Sequence, residues 1–204
     1  MHQKKLQKMK VAIIDYNAGN IRSVENALRR LGVEPVLTAD HDTIRRADKV
    51  VFPGQGEASS TMSFLRAQGL DEVIKSLKQP TLGICIGMQL LCKHSEEGDT
   101  DCLGIFDAEV KRFQTQRHED KIPQMGWNTI GQLKGALYEG FTKEEYVYFV
   151  HSYYVPLCPW TAAVTDYIQP YSASVCKDNF YATQFHPEKS GAVGERILQN
   201  FLKL

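Results

Sequence analysis

Thr81-Leu82-Gly83-Ile84-Cys85-Ile86-Gly87-Met88-Gln89-Leu90-Leu91-Cys92 reads as a short buried strand over 81–84, a sharp turn at Cys85 and the start of a helix over 87–92. The glycines two residues before and two after the cysteine decide that reading. Where a strand hands over to a helix at a nucleophile, the two backbones approach closely and the nucleophile takes up strained torsions, so its flanks must be small. An isolated cysteine between apolar neighbours is more often a structural thiol. The paired glycines reverse this and make the turn a nucleophile elbow with sulfur in place of oxygen. Far downstream, Phe180-Tyr181-Ala182-Thr183-Gln184-Phe185 alternates and is rich in aromatics, a strand that delivers His186 at its end, where a loop can present it. Pro187 stiffens the step to Glu188, which can hold the second nitrogen of the imidazole. His186 alone reads as a strand-end histidine and Glu188 alone as a solvated charge. Thiol, imidazole and carboxylate together suit covalent hydrolysis.

Working outward from the elbow, Lys10–Asp15 is a compact β-branched run, and 20–31 places Ile21, Val24, Ala27, Leu28 and Leu31 on one helical face before Gly32. Strands are expected near 35–38 and 49–52, separated by a charged connector that includes Asp42 and Arg45. Helical patterns at 57–66 and 70–77 lead into the Cys85 strand. Strands alternating with helices predict an α/β domain with a central, mostly parallel sheet covered on both faces. From Ile105 onward the texture becomes strand-like, with segments at 126–130, 146–155, 161–165 and 171–185, which predicts a mixed or antiparallel C-terminal half. The polar stretch 114–121 reads as an exposed hairpin or loop, and 193–202 as a closing amphipathic helix. Functional loops in such a sheet gather beyond the carboxyl ends of its strands. Asp15–Asn20, Pro53–Gly56 and Cys85 fall there. Pro53-Gly54-Gln55-Gly56 alone is a tight turn; beside an elbow its peptide amides can face a developing oxyanion.

The 204 residues suffice for one sizeable domain, assigned to 10–204, with 1–9 an N-terminal extension or expression remnant and Met9 a possible natural start. Lys+Arg and Asp+Glu both number 24, so charge gives no argument for a nucleic-acid partner. No apolar run approaches the roughly 18 residues that span a bilayer, so no membrane role is expected. Five cysteines without a C-x-x-C pair favour free thiols in a reducing compartment, with cytoplasm the default. His2, His41, His94 and His118 lack ligand spacing and the cysteines offer no tetrahedral set, so neither metal nor cofactor is expected.

From Lys10 onward the chain resembles the class I, triad-type glutamine amidotransferases, whose glutaminase fold is a single flavodoxin-like domain. Within them it resembles the glutaminase subunits of imidazole glycerol phosphate synthase in histidine biosynthesis. The class resemblance rests on Gly83-Ile84-Cys85-Ile86-Gly87-Met88-Gln89 and Gln184-Phe185-His186-Pro187-Glu188-Lys189-Ser190. The narrower one rests on 14–20, 53–56, Pro123-Gln124-Met125-Gly126-Trp127-Asn128 and Tyr148-Phe149-Val150-His151-Ser152-Tyr153. The resemblance implies that Cys85 attacks the side-chain amide carbon of glutamine, that His186 shuttles the proton and that Glu188 orients His186. It also implies an oxyanion site built from the Gly54–Gln55 loop and the amide of Ile86, with Gln89 and the Ser152–Tyr153 backbone gripping the amino-acid end of glutamine. Gln55 replaces the valine common at its position, although a backbone amide serves whatever its side chain. Gln89 read without the motif is equally a core-facing or capping residue.

The partner implied is a (β/α)8-barrel cyclase bound across the active-site face, which uses the ammonia on a ribonucleotide intermediate. The complex would make imidazole glycerol phosphate and an aminoimidazole carboxamide ribonucleotide. Asn17, Met125, Trp127, Tyr148 and Lys189 match positions near that interface. Taken singly they read as a loop cap, core Met, partly core Trp, strand Tyr and solvated Lys. The resemblance further implies that the partner gates the oxyanion loop. Anthranilate, pyridoxal phosphate and guanylate synthesis use glutaminases of the same chemistry, and the 123–128 and 148–153 segments favour the histidine-pathway subunit over these. A cysteine hydrolase of other small molecules and a noncatalytic interaction subunit are more distant alternatives.

Overall fold

A computed structural model of the chain describes residues 9–16 and 21–204. Its backbone is a seven-stranded sheet in the order β11-β12-β13-β4-β3-β1-β2. The strands are β1 (Val11–Ile14), β2 (Pro35–Thr38), β3 (Lys49–Phe52), β4 (Thr81–Ile84), β11 (Thr161–Tyr167), β12 (Gln169–Lys177) and β13 (Phe180–Thr183). From β2 through β13 all pairings are parallel, while β12 and β11 add antiparallel strands at one edge. The parallel strands are apolar without alternation because both faces are covered. Val11, Ile13, Val51, Leu82 and Ile84 pack into one core cluster, and Ala12, Ile14, Val50, Phe52 and Ala182 into the other.

The covering helices are α1 (Ile21–Arg30), α2 (His41–Arg46), α3 (Ala58–Ala67), α4 (Leu70–Ser76), α5 (Ile86–Leu90) and α6 (Gly191–Lys203). In α1, Ile21, Val24, Ala27 and Leu28 are buried as the 3.6-residue period requires, and α6 buries Ile197, Leu198, Phe201 and Leu202. The charged connector around Asp42 and Arg45 is helical, contrary to its sequence reading. Asp40 Oδ1 accepts from Thr43 N at 2.8 Å, and this cap nucleates a turn that periodicity alone did not reveal.

A second departure follows the elbow. The helix expected over 87–92 stops at Leu90, and Cys92 begins β5 (Cys92–Ser95), which pairs with β6 (Thr100–Asp101) and with β7 (Phe106–Arg112). With β10 (Tyr153–Tyr154) these form a four-stranded sheet, so the change of texture begins at Cys92 and not at Ile105. The expected strand over 171–185 is two strands that reverse at Asp178–Asn179, with Asp178 at φ 52°. A two-stranded ribbon, β8 (Gln124–Ile130) against β9 (Glu145–His151), completes the fold. Between β7 and β8, 114–121 has no strand and all of it but Asp120 is exposed. Asp120 Oδ2 accepts from the amides of Gln116 and Arg117 there.

Candidate active site

Adjacent strands bring three sequence-distant segments to one edge. Phe52 pairs with Gly83, Gly83 with Ala182 and Ile84 with Thr183, so the loops leaving β3, β4 and β13 emerge side by side. They border a cleft of about 300 Å³ lined by Gly54, Gln55, Cys85, Ile86, Gln89 and His186, together with Glu97, Pro123 and 150–153. Of the motif loops, Asp15 and Tyr16 are described. Asn17 lies outside the described residues.

Cys85 sits at φ 54°, ψ −110°, the strained turn expected of an elbow. The flanking glycines are required by contact. A Cβ on Gly87 would lie 2.2 Å from Phe52 O, and one on Gly83 would lie 2.8 Å from Leu91 Cδ1. Gly54 is equally constrained, since a Cβ there would meet Ile86 Cγ2 at 2.1 Å and Gly87 N at 2.6 Å. The loop after β3 thus lies directly against the first turn of α5, whose leading amides have no partner within the helix. Gly54, Gln55 and Ile86 line the same cleft as Cys85.

His186 Nδ1 and Glu188 Oε1 are 2.7 Å apart, both side chains nearly fully buried. Glu188 lies in the 3-10 turn Pro187–Lys189, and Gly194 of α6 lets that turn pack, since a Cβ on it would fall 1.9 Å from Pro187 O. His186 Nε2 is buried without a hydrogen-bond partner. The sulfur acts on the ring as a neighbour, because its hydrogen-bond contacts are Gln184 Nε2 at 3.6 Å and Val150 O at 3.8 Å. Burial opposes charge on His186, but Cys85 and Glu188 outweigh it and carry the imidazole pKa up to about 10.

Gln89 is buried, with Nε2 donating to Tyr153 O and to Gln184 Oε1, each at 3.0 Å. The Tyr153 carbonyl also contacts His151 Nδ1 at 2.6 Å, and Ser152 O accepts from Phe113 N. Both carbonyls of the expected 152–153 grip are therefore engaged within the fold. His151, whose Nε2 lies 3.0 Å from the Tyr171 hydroxyl, is pushed down to about 4, chiefly by burial.

Three contributors escaped the sequence reading. Tyr16 donates from its hydroxyl to Pro53 O and sets its ring edge-on to Phe52, pinning the start of the Gly54 loop. Glu97, at the tip of the β5–β6 hairpin, lines the cleft while its Oε2 accepts from Ala58 N at 2.9 Å. Burial raises its pKa, with Glu57 adding to the rise and the Ala58 amide opposing it. Gln184 holds the sulfur. Tyr16 and Gln184 stand inside quoted motifs, but nothing in those motifs states their contacts, and Glu97 stands outside them.

Of the expected interface residues that are described, Met125 pairs with Val150, which lines the cleft. Met125 and Trp127 are 66% and 57% exposed, so neither is core. Trp127 is paired with half-buried Tyr148 across the ribbon, their rings edge to face at 6.1 Å. Lys189 is half-buried. Among the described residues no group of His, Cys, Asp and Glu could hold a metal ion, and no helix is long and apolar enough to cross a membrane.

The family model for glutamine amidotransferase class-I matches residues 12–204. A subunit named imidazole glycerol phosphate synthase subunit HisH from Bacteroides thetaiotaomicron is 68% identical over 96% of this chain and all of its own. Proteins of the same name from Yersinia pseudotuberculosis and Escherichia coli are 46% and 44% identical over the same shares. A solved glutamine amidotransferase superposes with a TM-score of 0.73 at 19% identity, covering 95% of this chain and 97% of its own. Another, from Thermotoga maritima, gives 0.65 at 18% identity, covering 94% and 81%. This chain belongs to the class I glutamine amidotransferases, and within them to the HisH subunits of imidazole glycerol phosphate synthase.

Proposed function

We propose that this chain is the glutaminase subunit of imidazole glycerol phosphate synthase, with Cys85, His186 and Glu188 as its triad. A carboxamide is a poor electrophile with a poor leaving group, so attack on it must be joined to protonation of the departing nitrogen. Cys85 gives its thiol proton to His186 Nε2 as its Sγ bonds to the side-chain amide carbon of glutamine, and charge develops on the carbonyl oxygen beside the amides of Gln55 and Ile86. His186 Nε2 gives its proton to the nitrogen as the C–N bond breaks, releasing ammonia. Glu188 keeps that proton on the correct nitrogen by accepting from Nδ1. Water, deprotonated by the same Nε2, then cleaves the thioester to give glutamate and the free thiol. Gln89 Oε1 and the carboxylate of Glu97 suit the α-ammonium group of glutamine.

The observation that carries this reading is His186 Nε2, buried without a partner in the cleft that Cys85 lines, with Nδ1 already bonded to Glu188. The ammonia passes to a cyclase subunit, for which we infer a (β/α)8 barrel docking over Met125, Trp127, Tyr148, Lys189 and Asn17. Five free cysteines suit a reducing cytoplasm. Glutamate release by wild type and Cys85→Ala, each with and without the cyclase subunit, tests the proposal. Wild type with cyclase is expected to release glutamate. Cys85→Ala is expected to support synthesis only from added ammonium, and glutamine-dependent synthesis by that variant would overturn the triad.

A further inference from the structure

Two buried amides beside the nucleophile form a chain whose direction is fixed at one end. Tyr153 O, a backbone carbonyl, can only accept. Gln89 must therefore turn its amino nitrogen toward it, and the second hydrogen of that nitrogen meets Gln184 across 3.0 Å. The atom that Gln184 presents there is consequently Oε1, which leaves its own amino group facing Cys85 Sγ at 3.6 Å. Turning Gln184 over would set two amino groups against each other where neither reaches water, since Gln184 is 0% and Gln89 3% exposed. The backbone supports the same alignment. Cys85 N donates to Thr183 O at 2.7 Å, and Gln184 N donates to Ala173 O at 2.8 Å, so Gln184 is locked beside the sulfur by the sheet.

We propose that Gln184 is a further catalytic residue, a hydrogen-bond donor oriented by Gln89 and Tyr153 onto the sulfur of Cys85, where it stabilises the thiolate. The proposal rests on Cys85 being the nucleophile. A thiolate accepts a hydrogen bond far better than a thiol, so a donor that cannot turn away favours the anion. The other hydrogen-bond contact of the sulfur, Val150 O at 3.8 Å, can only take the proton of the neutral thiol, and the titratable groups that face the sulfur are His186, Tyr16 and Tyr171. The two contacts thus favour opposite protonation states, and the closer one favours the nucleophilic form. The same chain turns the amino group of Gln89 inward and leaves its carbonyl oxygen for a ligand's ammonium.

The test follows iodoacetamide alkylation of Cys85 in the whole chain, read by mass spectrometry of the Cys85 peptide from pH ~6 to pH ~10. Gln184→Met keeps length and removes both polar ends. Its Cys85 is expected to react about tenfold more slowly near neutral pH, the size of one charge-assisted hydrogen bond, and to converge on the wild-type rate in alkali. A merely structural role would scale the rate equally at every pH, and that result, or a superimposable profile, overturns the proposal. If Gln184→Met does not fold, Gln89→Met releases the pin on Gln184. It is expected to give a smaller slowing with the same convergence, and a uniform or absent effect overturns the proposal equally. The assay needs no glutamine, so its failure is separate from any failure of glutamate release.

Discussion

At Cys85 the chain passes through φ 54°, a region where a side chain is strained and glycine is not. Strain at Cys85 is expected to show as a stability difference between two variants that both lack the thiol. Cys85→Gly relieves the torsion that Cys85→Ala retains, against the greater freedom glycine has when unfolded. Cys85→Gly is therefore expected to be the more stable by about 1 kcal/mol in urea unfolding, and equal or lower stability would deny the strain. Cys85 with its two glycines and His186-Pro187-Glu188 were legible as a candidate site because their spacing has a local meaning. Tyr16, Glu97 and Gln184 were not, because what each does depends on which atom it meets across the sheet.

Helix α6 and the 3-10 turn before it form a unit that holds the imidazole. Ser190 Oγ donates to His186 O at 2.6 Å and accepts from Tyr148 N at 3.0 Å, while His186 N donates to Tyr148 O at 2.9 Å. Strand β9, which carries one expected interface tyrosine, is thus bonded directly to the turn that carries His186 and Glu188. Gly194→Ala forces α6 away from Pro187 O and is expected to destabilise the fold by about 1–3 kcal/mol, the usual cost of overpacking. Glutamate release would drop with it. The same loss of activity with an unchanged unfolding midpoint would show the turn to be displaced without strain. On the neighbouring ribbon Trp127 is largely exposed, so Trp127→Ala is expected to leave the midpoint within about 0.5 kcal/mol while weakening the complex with the cyclase subunit in a titration. Sequence periodicity gave both elements. It could not show that Trp127 faces outward, because an aromatic residue on a strand reads the same on either face.

At the scale of the whole molecule, two buried histidines among the described residues titrate in opposite senses. His151 has a folded pKa of about 4 against an ordinary value near 6.5, so between these the unfolded chain binds a proton that the folded chain does not. Stability is expected to fall as pH drops from about 6.5 to about 4, by on the order of 3 kcal/mol from this group. Denaturant unfolding across that window checks it. His151→Gln, whatever its absolute stability, is expected to show a shallower acid slope, and an unchanged slope would remove His151 as the cause. His186 works the other way. Its folded pKa of about 10 lies above the ordinary value, so its contribution is complete below about 6.5 and is lost as pH rises through about 10.

The candidate chemistry was legible in the sequence itself, since a thiol between glycines at a strand end and an imidazole followed by a carboxylate each carry a local geometric requirement. Apolar strand runs that alternate with helical patterns likewise determined a parallel sheet covered on both faces. The pairing of β3, β4 and β13 was decided only by the tertiary structure, because parallel neighbours are separated by long crossovers that no local pattern specifies. That pairing sets Gly54, Cys85 and Gln184 in one row. The pairing of β1 with β3 brings Tyr16 against Pro53, and the packing of the second sheet sets Glu97 of the β5–β6 hairpin on the first residue of α3.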